Sequence, residues 1–232
     1  MMSKTVIQAY EAGEYEIISQ FFSKKNKVQL IRLVHEGQAY MLIKKKFTRK
    51  KSLEQEMSIL DDLKNKSIKT VKCYGRFEDV LLYEYIDSMT LCEFLEQAEP
   101  QDAKSDQTDV LLSDSTTRPF RKAINWLASF HDATGLAFYD CNLRNFLVTQ
   151  EDVMAIDFED SREVAFAEDY GRFLAFILTY TPSFTPWKKL LVRQLEEHLN
   201  NNINECITDI YRAKERELIE IGKRRSGNEK GI

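Results

Sequence analysis

The chain has 232 residues, 43% of them hydrophobic and 30% charged, with a formal net charge of −4. That is enough for one large core or two small ones, and the acidic balance argues against nucleic acid, whose binders usually carry a basic excess. The four cysteines stand far apart with no Cys-x-x-Cys pair, so neither a zinc site nor a redox motif is supported. The opening Met-Met-Ser-Lys-Thr-Val is too polar for a signal peptide, and no run of about 18 apolar residues is present to span a membrane. The expectation is a reduced, cytoplasmic protein without a transmembrane segment.

Tyr15 to Phe22 carries Tyr, Ile, Ile, Phe and Phe, a strand composition. Ser23-Lys-Lys-Asn-Lys27 is a polar turn. Val28 to His35 is a largely buried strand, Glu36-Gly37-Gln38 a second turn and Ala39 to Phe47 a third strand, together an antiparallel meander. In the third strand, period two puts Leu42, Lys44 and Lys46 on one face and Met41, Ile43 and Lys45 on the other. Both faces hold apolar residues, so alternation alone does not choose between them. Ser52, with Gln55 three residues on, predicts a helix start. The helix runs to about Asn65 on a stripe of Leu53, Met57, Leu60 and Leu63. Glu56 falls inside that stripe and needs a partner there. Val71 to Phe77 and Val80 to Ile86 complete five strands.

Leu91 to Ala98 predicts a short helix. Glu99 to Thr117 is polar and acidic and reads as a mobile insertion. A strong helix follows over Arg118 to Thr134, with Pro119 at its start and Phe120, Ala123, Ile124, Leu127 and Phe130 at helical spacing. His131 has no second histidine at ligand spacing, so a metal role for it is not supported. Two short apolar runs, Phe146 to Val148 and Val153 to Ile156, then flank the polar turn Thr149 to Asp152, which makes a hairpin. It fixes Asn145 at its entry and Asp157 at its exit, so that both converge with Asp140. Asp, Asn and Asp at one point suit phosphoryl transfer. One carboxylate takes the proton of an attacking hydroxyl, and an amide oxygen with a second carboxylate holds Mg2+ against nucleotide phosphates. Glu168 to Leu178 is a hydrophobic helix with Asp169 near its start. Trp187 to Leu199 and Ile203 to Ile221 are amphipathic helices, and the residues from Lys223 form a frayed polar tail.

Asp140-Cys-Asn-Leu-Arg-Asn145, followed by Asp157-Phe-Glu159, resembles the catalytic loop and the D-F-G motif of the protein-kinase-like superfamily. Phe138 stands in place of the catalytic-loop histidine, Glu159 in place of the glycine, and the basic turn at Ser23 to Lys27 contains no glycine. The resemblance implies an α+β fold of two lobes with ATP between them. Residues 1–86 form a five-stranded antiparallel sheet with one helix, and residues 87–232 a mostly helical lobe containing the catalytic hairpin. Tyr40-Met-Leu-Ile-Lys44 is similar to V-A-I-K, which selects Lys44 to grip the phosphates and Glu56 as its ion-pair partner. Tyr83 falls at the gate of the nucleotide site, and the carbonyl of Glu84 and the N–H of Ile86 read the adenine edge. Asp140 takes the role of catalytic base, and Asn145 and Asp157 that of Mg2+ ligands. Asp169 resembles the aspartate that hydrogen-bonds the catalytic-loop backbone.

Only twelve positions separate Asp157 from Asp169. An activation segment does not fit there, and no A-P-E follows. The resemblance is therefore nearest the aminoglycoside/choline phosphotransferase-like and small sugar (lipopolysaccharide-core) kinases, with a small-molecule or glycan acceptor. A nucleotide-binding pseudokinase and a short atypical protein kinase are the alternatives. Glu159, Asp160 and Glu163 fit a cationic acceptor or a solvated acidic loop equally.

Overall fold

The computed structural model describes residues 2–13, 15–100 and 111–228. The chain divides into two compact units, Met1–Asp87 and Ser88–Ile232. Among the described residues it is mixed α/β, with seven α-helices, a five-stranded antiparallel sheet and a three-stranded sheet. No helix among them is long and apolar enough to cross a membrane. The ten residues 101–110 of the acidic stretch lie outside the described residues, and with them most of the predicted mobile insertion.

The first unit runs α1 (Met2–Glu11), β1 (Tyr15–Phe21), β2 (Lys27–His35), β3 (Gln38–Lys46), α2 (Lys50–Asn65), β4 (Cys73–Phe77) and β5 (Val80–Glu84). The sheet order is β1-β2-β3-β5-β4. α1 is an addition to the sequence reading, whose elements begin at Tyr15. Its Val6 and Ala9 pack on Ile31, Leu33, Leu42, Val80 and Leu82, which closes one face of the sheet. β1 is an edge strand and keeps Ile17, Ile18 and Phe21 exposed. α2 begins at Lys50 rather than at the predicted Ser52, with Arg49 as an extended N-cap that offers no side-chain bond. The reason lies just upstream. Phe47 is buried and its N–H donates to the Asp79 carbonyl (2.8 Å), so the chain turns as soon as it leaves β3. On α2, Leu53, Ile59, Leu60 and Leu63 are buried and Glu56 lies among them.

The second unit contains β6 (Met89–Thr90), α3 (Leu91–Ala98), α4 (Asp114–Thr134), a single 3-10 turn (Leu143–Asn145), β7 (Phe146–Val148), β8 (Val153–Ala155), α5 (Ala167–Thr179), α6 (Pro186–Asn202) and α7 (Ile207–Asn228). β7 and β8 form the predicted hairpin, and β6 adds to it as a third antiparallel strand. Thr90 caps α3 through a capping box with Glu93. α4 starts four residues before the predicted Arg118, because Ser113 accepts the Thr116 N–H and caps it there, leaving Pro119 inside the helix. The unit's core is aromatic. Trp126 and Phe130 of α4 stack at 5.4 Å, and Phe138, Phe146 and Phe158 gather around them at centroid separations of 5.8–6.4 Å. Lys188 is fully buried but fully used, against Glu99 (2.9 Å) and the carbonyls of Tyr180 (3.0 Å) and Pro182 (2.6 Å).

α7 lies closely against α5. A Cβ at Gly171 would stand 2.5 Å from the Ala213 Cβ and from the Lys214 backbone nitrogen, so only glycine permits this approach. The tail predicted to fray from Lys223 is helical to Asn228. Arg225 donates to the Thr179 carbonyl (2.6 Å) and Arg224 to Glu217 (2.5 Å), and these bonds hold the last turns down.

Candidate active site

In the second unit, Asp140 sits on a loop whose backbone is fixed from beneath. Asp169 of α5 is completely buried. Its carboxylate accepts the N–H groups of Phe138 (2.6 Å) and Tyr139 (2.8 Å) and meets His131 Nε2 at 2.8 Å. His131 is held in turn by the Tyr170 hydroxyl on Nδ1 (3.3 Å) and by stacking on Phe166 (4.2 Å). This is the backbone-anchoring role anticipated for Asp169. Phe138, in the histidine position of the motif, is a core aromatic with no polar task.

From there the chain turns sharply. Tyr139 takes the left-handed conformation (φ +70°), and Asp140 follows. Asn142 Oδ1 accepts the Arg144 N–H (3.0 Å) and the Tyr180 hydroxyl (2.5 Å), which starts the 3-10 turn that delivers Asn145. The Asn145 Nδ2 donates back to the Asp140 carbonyl (3.0 Å), while the Asn145 carbonyl accepts the Ile156 N–H (2.9 Å) at the exit of β8. Asp157 comes next, also left-handed at φ +70°, and Phe158 drops into the aromatic core. Two non-glycine residues thus take this sparsely populated region, Tyr139 just before Asp140 and Asp157 itself, a form of strain that clusters at functional sites.

Asp140, Asn145 and Asp157 are thereby brought together. Burial, and then the negative charge of Asp157, push the Asp140 carboxyl above the ordinary carboxylate range, with a hydrogen bond from Asn145 opposing them. Among the described residues no cluster of three or more His, Cys, Asp and Glu can cage a metal. The donor set available here is the Asp157 carboxylate and the Asn145 amide oxygen, the Asn145 Nδ2 being engaged with the Asp140 carbonyl. That set suits Mg2+, which keeps several waters and takes only one or two protein oxygens alongside phosphate.

In the first unit the predicted Lys44–Glu56 pair does not form. Lys45 takes its place, with Nζ 2.6 Å from Glu56 Oε2, and Tyr83 donates its hydroxyl to Glu56 Oε1 at 2.5 Å. Register explains the correction. Ile43 lies opposite Tyr83 and Lys45 opposite Leu81, so Ile43, Lys45 and Tyr83 share the face that α2 meets. Lys44 lies opposite Leu82, on the face that α1 covers. Its ammonium bonds the Tyr15 hydroxyl and stands 4.5 Å from the Tyr15 ring and 5.6 Å from the Tyr10 ring. Burial opposes that charge, but the two tyrosines outweigh it and the Lys44 pKa is raised. The similarity to V-A-I-K is thus one residue out of register.

Tyr83 ends in a buried bond to Glu56. Glu84 closes β5, its carboxylate accepting the Lys72 N–H (2.7 Å), and Ile86 follows two residues beyond the strand. In the turn before β2, Thr48 staples the loop by donating to the Lys25 carbonyl (2.8 Å) and the Asn26 side chain (3.4 Å). Sequence reasoning missed Lys45, because the register that puts it on the Tyr83 face is not written in the sequence, and the roles of Tyr139 and Asn142, which carry no signal outside the fold. No protein-family model matches the sequence, and no curated protein is significantly similar to it.

Proposed function

We propose that this chain is an ATP- and Mg2+-dependent phosphotransferase of protein-kinase-like fold, with two lobes, that moves the γ-phosphate to a hydroxyl of a small molecule or glycan in the cytoplasm. The observation that carries this reading is the grouping of Asp140, Asn145 and Asp157 on a loop whose backbone Asp169 fixes. Asp140 accepts the proton of the attacking hydroxyl, and its raised pKa strengthens it as a base. Asn145 and Asp157 hold the metal. Bound Mg2+ supplies neutralisation of the charge on the phosphate oxygens.

In the first unit the phosphate-gripping lysine is Lys45, oriented by Glu56, which Tyr83 orients in turn. The Glu84 carbonyl and the Ile86 N–H read the adenine edge. The run from Asp157 to α5 is short and is tied down by the bridge between Ala137 and Arg162, which supports a compact acceptor rather than a docked peptide.

The test is incubation of the full chain with Mg2+ and γ-labelled ATP against a panel of sugars, glycans and amino alcohols. Label on a small acceptor, lost in Asp140→Asn while nucleotide binding persists, is the expected result. Asp157→Ala should lose Mg2+-dependent stabilisation by nucleotide. Label on protein instead identifies a short protein kinase. Thermal stabilisation by nucleotide without any turnover identifies a pseudokinase.

A further inference from the structure

Two guanidinium groups lie against a single ring at the residue before Asp140. The Cζ of Arg162 is 3.6 Å and that of Arg172 is 3.9 Å from the centre of the Tyr139 ring. Arg172 also donates to the Tyr139 hydroxyl at 2.9 Å. It stands on α5, one helical turn beyond Asp169. Its remaining terminal nitrogen meets Glu217 of α7 at 2.7 Å. Glu217 is only 2% exposed and also accepts from Arg224 at 2.5 Å. Arg162 is tied to the same loop, since its backbone pairs with Ala137.

The loop needs such a hold. A residue with a Cβ occupies the left-handed region at a cost and stays there only where its surroundings over-determine it. Asp169 fixes where the amides of Phe138 and Tyr139 point. The two arginines fix where the Tyr139 side chain leaves the backbone. Together these contacts set the turn out of which the Asp140 carboxylate projects.

We propose that Arg172, anchored by Glu217 of α7, is a positioning residue for Asp140, acting through the Tyr139 ring to keep that backbone left-handed. The last helix of the chain thereby belongs to the reaction machinery. The proposal rests on Asp140 being the group that accepts the acceptor's proton.

Two measurements on the full chain separate the parts. One is release of labelled phosphate from γ-labelled ATP with Mg2+, water serving as acceptor. The other is amide hydrogen exchange at Phe138 and Tyr139, followed by nuclear magnetic resonance. Arg172→Ala and Tyr139→Ala should each lower kcat roughly a hundredfold at unchanged nucleotide affinity, and speed exchange. Tyr139→Gly is the diagnostic variant. It restores left-handed freedom without the ring, so its kcat should exceed that of Tyr139→Ala by roughly 5- to 30-fold. A ring needed only for packing gives the opposite order, because glycine removes more contacts than alanine. Glu217→Gln keeps the side-chain shape, serves where Arg172→Ala fails to fold, and should move both readouts in the same direction. Tyr139→Gly no better than Tyr139→Ala overturns the proposal. Unchanged exchange in Arg172→Ala and Glu217→Gln, within a chain that turns over ATP, overturns positioning alone. Faster exchange in a chain that never turns over ATP overturns Asp140 as the base, and the proposal with it.

Discussion

Replacing Lys45 with Met removes the ammonium from a pair whose side chains are 8% and 2% exposed and leaves the stem to fill its place. The Glu56 carboxylate then stays in the core with less compensation. Breaking one side of a buried pair costs about 3–5 kcal/mol. Because Tyr83 still donates to Glu56 Oε1 at 2.5 Å, the low end applies, about 3 kcal/mol. The neighbouring Lys44→Met loses contacts with two partly exposed tyrosine rings and one hydroxyl. Cation–π contacts of that kind contribute about 0.5–1 kcal/mol. The two variants should therefore differ by about 2 kcal/mol, roughly a 30-fold difference in the ratio of folded to unfolded chains. Urea titration followed by far-ultraviolet circular dichroism measures both. The double variant Lys45→Met/Glu56→Gln leaves no buried charge, while its amide oxygen still receives Tyr83, so it should recover about 2 kcal/mol. If Lys44→Met costs as much as Lys45→Met, or if the double variant is worse than Lys45→Met alone, the pairing argument fails.

Three further outcomes are expected. The Asp140 pKa is raised in the folded chain, first by burial and then by Asp157. The folded state thus holds that proton more tightly than the unfolded state. Stability from this group is present at acid pH and is lost as pH rises through the folded pKa. Asp140→Asn should accordingly raise the melting temperature at neutral pH and lose that advantage in acid, which a pH series of thermal melts reads directly. Asp169→Asn turns one acceptor oxygen into a donor facing N–H groups, and should cost about 2–3 kcal/mol in urea unfolding. Gly171→Ala drives a methyl into the α7 backbone and should cost about 2 kcal/mol, with an unchanged midpoint refuting the close approach.

How much of this was legible from sequence varies with how local the determinant is. Asp140, Asn145 and Asp157 could be read because a five-residue step and a two-strand hairpin fix them within one stretch of chain. Glu56 could be read because helical periodicity alone puts it among Leu53, Leu60 and Leu63. Lys44 and Lys45 could not be told apart. Each has apolar neighbours two residues away, and the choice depends on α1 covering the Leu42 face, a contact made by residues some thirty positions earlier. The start of α2 at Lys50 has a similar cause, since buried Phe47 overrides the Ser52 cap signal. The hold on Tyr139 joins three distant segments through Arg162, Arg172 and Glu217, and no spacing in the sequence records it.

The aromatic core has an optical consequence. The chain's two tryptophans, Trp126 and Trp187, both belong to the second unit, so the first unit is dark in tryptophan emission. Trp126 stacks on Phe158 at 6.2 Å and meets Phe138 edge-on at 5.9 Å. Those rings sit next to Asp157 and two residues before Asp140 in the chain. In a Trp187→Phe variant the remaining fluorophore is an internal reporter on the loop and hairpin that carry the three polar residues. Mg2+ and nucleotide titrations can then be followed without a label, and a melt recorded by emission beside one recorded by circular dichroism separates the unfolding of the two units.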